Sequence, residues 1–329
     1  MLILTADDVR KALPMRDAIE AMKSAYAALS DGRAVAPLRT RLPVRPHEGL
    51  VLFMPAYVQT GTSEALAVKI VSLFPQNPQR GLAYIQAAAL VLEADTGRAL
   101  ALLEGSSLTA IRTGAGSGAA IDVLARPASR VLAVFGAGAQ GRTQAEAACA
   151  VRKIETVWVY DARAEQSKKF AAEVAGRGPI PKDVRVAENP AQAVRDADIV
   201  CTATTSLTPV FADRDLKRGA HVSAIGSYTP EMQEIPAETV ARARVVVDSI
   251  PATLAETGDL VKPIQAGLIN EAHIYAELGE IVLGRKPGRQ TDEEITFFKS
   301  VGIAVQDAMA AQLAMRNADK MGIGQQVNW

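Results

Sequence analysis

A glycine-rich turn at positions 136–141 carries the residues whose spacing points most directly to chemistry. An apolar run of strand length, Val131–Phe135, leads into the turn, and a helix-forming segment follows it. Gly136 permits a tight turn, Gly138 lets the backbone approach a pyrophosphate, and Gly141 lets the helix pack closely on the sheet. The amide groups at the start of that helix would face the phosphates, helped by the helix dipole. We therefore predict a dinucleotide site whose phosphate-binding residues are Gly136, Gly138, Ala139, Gln140 and Gly141.

Asp161 ends the next strand-forming run, about 20 positions beyond Gly141. A carboxylate there accepts hydrogen bonds from ribose hydroxyls and repels a 2′-phosphate, so the sequence favours NAD(H) over NADP(H) as cofactor. Ala162 and Arg163 follow and join the predicted cofactor residues, although the charge of Arg163 partly offsets that preference. The simpler interpretation is an ordinary strand–helix–strand turn beside an unrelated surface acid. It is disfavoured because strand, turn, helix and acid all agree.

Lys69 is a candidate for binding an anionic substrate. It interrupts an otherwise apolar strand-forming run, AVKIVSLF, and a buried lysine needs a partner. On a strand its side chain alternates with Val68 and Ile70, so it could face a cleft while they face the core. The simpler interpretation is a lysine at a sheet edge that extends its amine into solvent.

Two arginines extend this set of cations. Arg112, followed by Thr113-Gly114, could direct its planar guanidinium at a carboxylate, or could form an ion pair between domains. Arg45 is accompanied by Arg39 and Arg41, and by itself would be interpreted as surface charge.

The remaining ionisable residues suggest no further chemistry. The acids Glu256 and Asp259 are interpreted as a solvated helix end. The histidines lack metal-ligand spacing and the cysteines lie in apolar runs, so we predict neither a metal site nor a disulfide. These residues are His47, His221, His273, Cys149 and Cys201.

Composition narrows the class of protein. Hydrophobic residues make up 49% of the 329 positions and charged residues 22%, as in a well-packed enzyme of about two domains. Lys+Arg and Asp+Glu balance at 36 each, so no charge pattern for nucleic acid or an anionic membrane is present. No run approaches the roughly 18 apolar residues of a membrane span, and the N-terminus does not resemble a signal peptide. A cytoplasmic location is expected.

The elements that position the cations should form a separate domain. The segments around Lys69 are rich in β-forming residues and lack alternating helices, and Asp95-Thr96-Gly97 is a hairpin signal. Thr5 and Pro14 mark the starts of two preceding helices. We predict an antiparallel α+β domain over residues 1–112, with strands at 38–44, 50–58, 65–73, 84–93 and 99–103.

The glycine turn belongs to a different pattern. A helical segment rich in small residues, 106–124, marks the first domain crossing, and strands then alternate with helices. That alternation predicts an α/β fold with a Rossmann-type, doubly wound parallel sheet over residues 113–304. A long last helix is predicted at 292–316, with residues 305–329 completing the first domain. Its expected apolar face comprises Ile295, Phe298, Ile303, Val305, Met309 and Leu313.

Over nearly its whole length the chain resembles the ornithine cyclodeaminase/μ-crystallin family. The combination of RTGA with GAGAQG is more specific than a general Rossmann match. The motifs that carry the resemblance include MPAY (54–57), AVKIVSLFP (67–75), IRTGAGSGAA (111–120), VFGAGAQGRTQ (134–144), SAIGSYTPEMQEI (223–235) and ITFFKSVGIAVQDAMAA (295–311).

The resemblance implies a homodimer in which the first domain supplies both the substrate pocket and the subunit interface. It also implies that the carboxylate of an amino or imino acid is bound by Arg45, Lys69 and Arg112, and we add Tyr84 as a candidate. The cofactor contacts it implies include Thr113 and the segment Thr202–Thr204. Our predicted cofactor set on this side comprises Thr113, Thr202, Thr204, Ile225 and Gly226.

Two departures bear on the activity. The cyclodeaminases, and the alanine dehydrogenases similar to them, have an aspartate where this chain has Tyr228, and cyclodeaminases have an acid near position 56, where it has Ala56. The chain is in this respect more similar to ketimine reductases. We therefore expect an NAD(H)-dependent reductase of α-imino acids, with Lys69 and Tyr228 as catalytic candidates. The alternatives are a cyclodeaminase or amino-acid dehydrogenase, and a protein that binds cofactor and ligand without turnover.

Overall fold

The computed structural model describes residues 1–61 and 63–329. The chain forms two compact units, of which the first comprises Met1–Arg112 and Ile303–Trp329 and the second Thr113–Gly302. Elements are numbered below in chain order.

The first unit is built on a mixed sheet covered by helices. Its strands pair in the order β16-β1-β7-β6-β5-β4-β2, with β3 also on β4. The β1–β7 pair is parallel and the others are antiparallel. The strands are β1 (Leu2–Leu4), β2 (Ala34–Val35), β3 (Thr40–Val44), β4 (Gly49–Gln59), β5 (Glu64–Leu73), β6 (Ile85–Leu92), β7 (Ala99–Glu104) and, near the C-terminus, β16 (Gln325–Gln326).

The helices of the first unit begin as the sequence predicts. Thr5 caps α1 (Ala6–Ala12) through a reciprocal hydrogen-bonded pair with Asp8, and Pro14 precedes α2 (Met15–Ser30). The sheet packs against the last helix, α11 (Ala304–Met321), which lies on β4 and β5 and against α2. This packing places the central strand β5 under α11.

The second unit contains a doubly wound parallel sheet in the strand order β10-β9-β8-β11-β12-β15-β13-β14. The fold class predicted from the sequence is thus confirmed. The strands are β8 (Val131–Phe135), β9 (Thr156–Tyr160), β10 (Val184–Val186), β11 (Ile199–Thr202), β12 (His221–Ala224), β13 (Arg244–Val247), β14 (Ile274–Glu277) and β15 (Thr296–Lys299). The helices are α3 (Gly105–Leu124), which the division between the units crosses, α4 (Ala139–Val151), α5 (Ala164–Val174), α6 (Pro190–Val194), α7 (Ala237–Arg242), α8 (Ile250–Glu256), α9 (Gly258–Gln265) and α10 (Leu278–Val282).

The predicted last helix is wrong over its first part. Residues 296–299 form β15, which lies between β12 and β13, and the helix begins only at Ala304. Phe298 therefore lies on a strand, and all four residues of β15 are buried. A strand covered on both faces is apolar without alternation, so its hydrophobic pattern cannot be told from that of a buried helix.

The small residues of α3 allow a close backbone approach. A Cβ at Gly114 would lie 2.5 Å from the carbonyl oxygen of Thr143 on α4. This contact explains a glycine in a helix interior, where it lowers helix stability relative to alanine. None of the described helices is long and apolar enough to cross a membrane.

Candidate active site

The glycine turn has the geometry that the sequence predicts. Gly136 has φ +95°, and a Cβ there would lie 2.5 Å from the carbonyl oxygen of Ala203. A Cβ at Gly141 would lie 2.0 Å from the carbonyl oxygen of Gly136, whereas a Cβ at Gly138 meets nothing within 4 Å. Gly136 and Gly141 are thus required by the protein itself. Gly138, just before α4, leaves open space at the helix N-terminus, where an anion is stabilised.

A cavity of 750 Å³ adjoins this turn at the carboxyl ends of the strands of the parallel sheet. Its volume suits a cofactor-sized ligand, and ligands of such sheets bind at this edge. The cavity is lined by Phe135, Gly136, Gly138, Tyr160, Asp161, Ala162, Arg163, Pro190, Ala203, Thr204, Thr205, Ser206, Pro209 and Val210. The backbone N–H groups at the start of α4 and the open space beside Gly138 therefore fit a dinucleotide.

Asp161 is held by two backbone amides at the rim of this cavity. Its carboxylate accepts hydrogen bonds from the N–H of Ala137 at 3.0 Å and of Arg163 at 2.9 Å. The Arg163 side chain is 78% exposed, with Nε 3.7 Å from the carboxylate, so its charge is largely screened by solvent. The negative charge at the ribose position remains, which favours NAD(H) over its 2′-phosphorylated form.

Arg142 is a residue of this site that the sequence reasoning missed. Its guanidinium donates to the carbonyl oxygens of Ala137 and Gly138 and pairs with Glu173 at 2.6 Å. The arginine therefore holds two carbonyl groups of the glycine turn. Its position one residue after Gly141 was the available signal.

Of the other predicted cofactor residues, Thr202, Ile225 and Gly226 lie at neighbouring strand ends, and Thr113 lies on α3. Thr202 is buried at the end of β11, and its carbonyl oxygen accepts the N–H of Ile225 at 3.0 Å. Gly226 follows in the next turn and is also buried. Thr113 is buried on α3, and its carbonyl oxygen accepts from Gln144 at 3.4 Å.

The first unit contains a buried charge cluster formed by Lys69, Arg112 and Asp307. The Nζ of Lys69 lies 2.8 Å and the Nε of Arg112 lies 2.9 Å from the same oxygen of Asp307. Arg112 also donates to Gln306 at 2.9 Å, and Gln306 donates to the hydroxyl of Tyr26 at 2.8 Å. Two cations thus share one carboxylate. When Lys69 is protonated, the cluster has excess positive charge, which an additional anion would balance.

Burial is the main cause that lowers the pKa of Lys69, to about 7. The positive charges of Arg112 and Arg39 act in the same direction, and Asp307 opposes them. A lysine in this range gains or loses a proton near neutral pH, as proton transfer requires. Arg39, which the sequence analysis names only as a neighbour of Arg45, is thus close enough to influence Lys69.

The expectation that Val68 and Ile70 face the core is wrong. Lys69 is 1% exposed and shares the buried face of β5 with Ala67 and Val71, beneath α11. Ile70, on the opposite face, is 41% exposed. Because β5 lies between β4 and β6, the edge-strand interpretation is wrong as well. Asp307, whose position on α11 the strand pattern cannot reveal, makes this burial possible.

The remaining predicted substrate and catalytic residues are less buried. Arg45 is exposed in a single turn of 3-10 helix after β3. Tyr84 is half-buried before β6, and Tyr228 is half-buried in the turn that follows β12. Their roles stay predictions.

The interpretation of Glu256 and Asp259 as a solvated helix end is wrong. Asp259 has no exposed surface, and its carboxylate lies 3.0 Å from the Nζ of Lys299. Glu256 is 9% exposed. The sequence predicts a helix at Lys299, whereas the residue lies on β15. Its ion pair with Asp259 is therefore not expected from the sequence.

Comparison with known proteins gives matches that span the chain. The model of the ornithine cyclodeaminase/mu-crystallin family matches residues 1–321. A Δ1-pyrroline-2-carboxylate reductase of Bacillus cereus is 42% identical over 330 residues, covering 100% of both chains. The structure of the Thermococcus litoralis Δ1-pyrroline-2-carboxylate reductase in complex with NADH and L-proline has TM-score 0.94 and 42% identity, covering 99% of this chain and 100% of that one. An archaeal alanine dehydrogenase dimer with bound NAD has TM-score 0.92 and 32% identity, covering 100% and 99%.

Gly138 and Gly141 should respond differently when a methyl group is added. Gly141→Ala is expected to destabilise the protein by about 1–3 kcal/mol, because its Cβ meets a backbone carbonyl. Gly138→Ala should lose less than about 1 kcal/mol but bind NADH about tenfold more weakly, since its methyl enters the pyrophosphate position. Urea unfolding and NADH fluorescence titration measure the two effects. Equal stability of Gly141→Ala and wild type would contradict this account.

Removing the carboxylate of Asp307, which Lys69 and Arg112 share, should make the first unit less stable. Asp307→Asn leaves two buried cations unpaired and is expected to lower the free energy of unfolding by about 3–5 kcal/mol. Asp319→Asn, an equal charge change at an exposed position of the same helix, is the matched control. Urea denaturation compares them, and a loss no greater than that of the control would refute the role of Asp307.

Proposed function

The chain belongs to the ornithine cyclodeaminase/μ-crystallin family, and we propose that it is an NADH-dependent reductase of cyclic α-imino acids. Its expected substrate is Δ1-pyrroline-2-carboxylate, reduced to L-proline. The observation that carries the proposal is the buried pair of Lys69 and Arg112 on the single carboxylate of Asp307. The reductases at 42% identity, one of them solved with NADH and L-proline, support the same reaction.

Carboxylate binding is the first step in the proposed mechanism. The guanidinium of Arg112 matches two carboxylate oxygens, and Lys69 adds a second positive charge. Arg45, in accord with the family resemblance, and Tyr84, our additional candidate, complete the proposed substrate set. Binding an anion here balances the excess charge of the cluster, so a neutral or cationic ligand gains less.

Reduction of the C=N bond needs a hydride at carbon and a proton at nitrogen. Bound NADH supplies the hydride. We assign the proton to Lys69, whose pKa of about 7 makes its ammonium a sufficient acid near neutral pH. The hydroxyl of Tyr228 is proposed as a further contact to the substrate. Fixing the carboxylate limits the positions of the carbon and nitrogen beside it.

An amino-acid dehydrogenase or cyclodeaminase is the competing function, because the archaeal alanine dehydrogenase is 32% identical. Oxidation requires a base to remove the amine proton, and a diamino acid requires a partner for its distal amine. Tyr228 and Ala56 stand where the resemblance implies acids for these tasks, and Ala56 is buried among apolar residues on β4. Ammonia release from ornithine with catalytic NAD would favour this function. Tight binding of NADH and ligand with no turnover would indicate a binding protein.

The proposal includes a homodimer formed through the first unit and a cytoplasmic location. The second unit would then bind NAD(H), and the first would bind substrate and the partner subunit. Large apolar side chains exposed on the first unit support such an interface. They are Val35, Leu38, Leu42, Ile70, Leu82 and Ile85.

The purified protein should oxidise NADH when Δ1-pyrroline-2-carboxylate is added and should form L-proline. Arg112→Lys is expected to raise KM for the imino acid at least about tenfold, because one point charge replaces a planar pair of donors. Arg10→Lys, at an exposed position, is the control. Absorbance of NADH and chromatography of proline follow the reaction. No oxidation with cyclic or linear α-imino acids would contradict the proposed function.

The pH dependence should report the protonation of Lys69. As pH rises through about 7, the donor form is lost, so kcat/KM for reduction should fall about tenfold per pH unit. Lys69→Arg, which stays charged, should be slow and lack this decrease, while the exposed Lys320→Arg should retain it. The protonation of the imino acid itself also changes with pH. It is measured separately, and its effect is subtracted from the pH profile of kcat/KM. The same decrease in Lys69→Arg would assign it to another group.

A further inference from the structure

A buried carboxylate outside the glycine motif connects two turns at the carboxyl ends of neighbouring strands of the parallel sheet. Glu234 has no exposed surface. One oxygen accepts from the N–H and the hydroxyl of Thr204, at 2.6 and 2.9 Å. The other accepts from the N–H groups of Gly226 and Ser227, at 2.7 and 3.2 Å. One side chain thus satisfies four donors, two from the turn after β11 and two from the turn after β12.

The two turns also touch directly. A Cβ at Gly226 would lie 2.2 Å from the carbonyl oxygen of Thr204 and 2.6 Å from the Oε1 of Glu234. Only a residue without a side chain permits this approach. Because Thr204 lines the 750 Å³ cavity, the carboxylate determines the shape of its wall.

A second layer of charges holds Glu234 in place. Asp259 accepts from the backbone N–H groups of Glu234 and Ile235, at 2.7 and 3.0 Å. Its other oxygen lies 3.0 Å from the Nζ of Lys299, and both residues have no exposed surface. Burial raises the pKa of Glu234, and the charge of Lys299 acts against that rise. The lysine from β15 thus compensates part of the cost of burying two acids.

We propose that Glu234 is a positioning residue for the cofactor. It fixes the turns of Thr204 and Gly226 in the conformation that receives NADH, and Asp259 with Lys299 orients it. Four hydrogen bonds to one carboxylate hold the site before the ligand arrives, so less ordering is required on binding. The inference rests on the proposed use of NADH and not on the identity of the imino acid.

The test is NADH binding without substrate. Glu234→Gln keeps the side-chain shape but turns an amide N–H₂ towards one pair of donors, which must separate. We expect NADH to bind at least about tenfold more weakly, a change equivalent to about 1.4 kcal/mol. In turnover, KM for NADH should rise while kcat at saturating NADH stays within about threefold of wild type.

Asp248→Asn is the matched control for general destabilisation. Asp248 is a buried carboxylate of the same unit that accepts from Ser300, Val301 and Gly302, residues outside the cavity lining. This variant should lower the melting temperature comparably yet bind NADH within about twofold of wild type. Equal weakening by both variants, or unchanged binding by Glu234→Gln, would overturn the proposal.

A conservative variant covers the case in which Glu234→Gln does not fold. Glu234→Asp keeps the charge but withdraws the oxygens by one methylene, so they cannot reach both turns. Weakening of NADH binding by about fivefold or more supports the positioning role, and binding within about twofold overturns it. If wild type itself does not bind NADH, the proposed function fails instead.

Discussion

A single carboxylate, Asp307, carries the electrostatic requirement on which the first unit depends. Lys69 comes from β5, Arg112 from α3, and Asp307 from the first turn of α11. A buried cation without a partner costs several kcal/mol, so the three elements are stable together only if these side chains meet. The pairing joins residues 238 positions apart in the chain. When Lys69 is protonated, the cluster also carries one positive charge in excess, and this excess is the basis of the proposed preference for a carboxylate ligand.

The second unit uses the same physical arrangement for another purpose. In the cluster of the second unit, Lys299 is the cation, and Asp259 and Glu234 are the acids. The charge balance is reversed: one cation faces two carboxylates, and backbone N–H groups supply the remaining donors. Such a cluster needs no external ligand. It joins backbone turns through hydrogen bonds, whereas the Lys69 cluster is proposed to bind an anionic ligand.

The local features of both units could be predicted from the sequence, because they depend on neighbouring residues. Gly136, Gly138 and Gly141 have the environments that their spacing predicts, and the strands around Lys69 were recognised from short β-rich runs. Features that depend on distant residues could not be predicted. The sequence predicts a helix at β15 because a strand buried on both faces has no alternation, so the strand position of Lys299 is not expected from its pattern. Asp307 gave no local signal, since its partners are supplied by β5 and α3.

In the proposed mechanism, the non-acidic residues Ala56 and Tyr228 determine whether Lys69, whose pKa is about 7, acts as a proton donor or as a proton acceptor. Its amine can accept a proton in oxidation or donate one in reduction, and the pKa alone does not select the direction. A carboxylate at the position of Tyr228 would take up the amine proton, and one at the position of Ala56 would bind the distal amine of a diamino acid. Ala56 lies buried opposite Ala67 in the β4–β5 pair and provides no such group, and Tyr228 carries a neutral hydroxyl. Burial first, and then the positive charge of Arg112, lowers the pKa of Lys69, so its ammonium gives up a proton more readily than that of an isolated lysine does. In the proposed mechanism, the two non-acidic residues, rather than the pKa of Lys69, are therefore what favours delivering a proton to an imine over removing one from an amine.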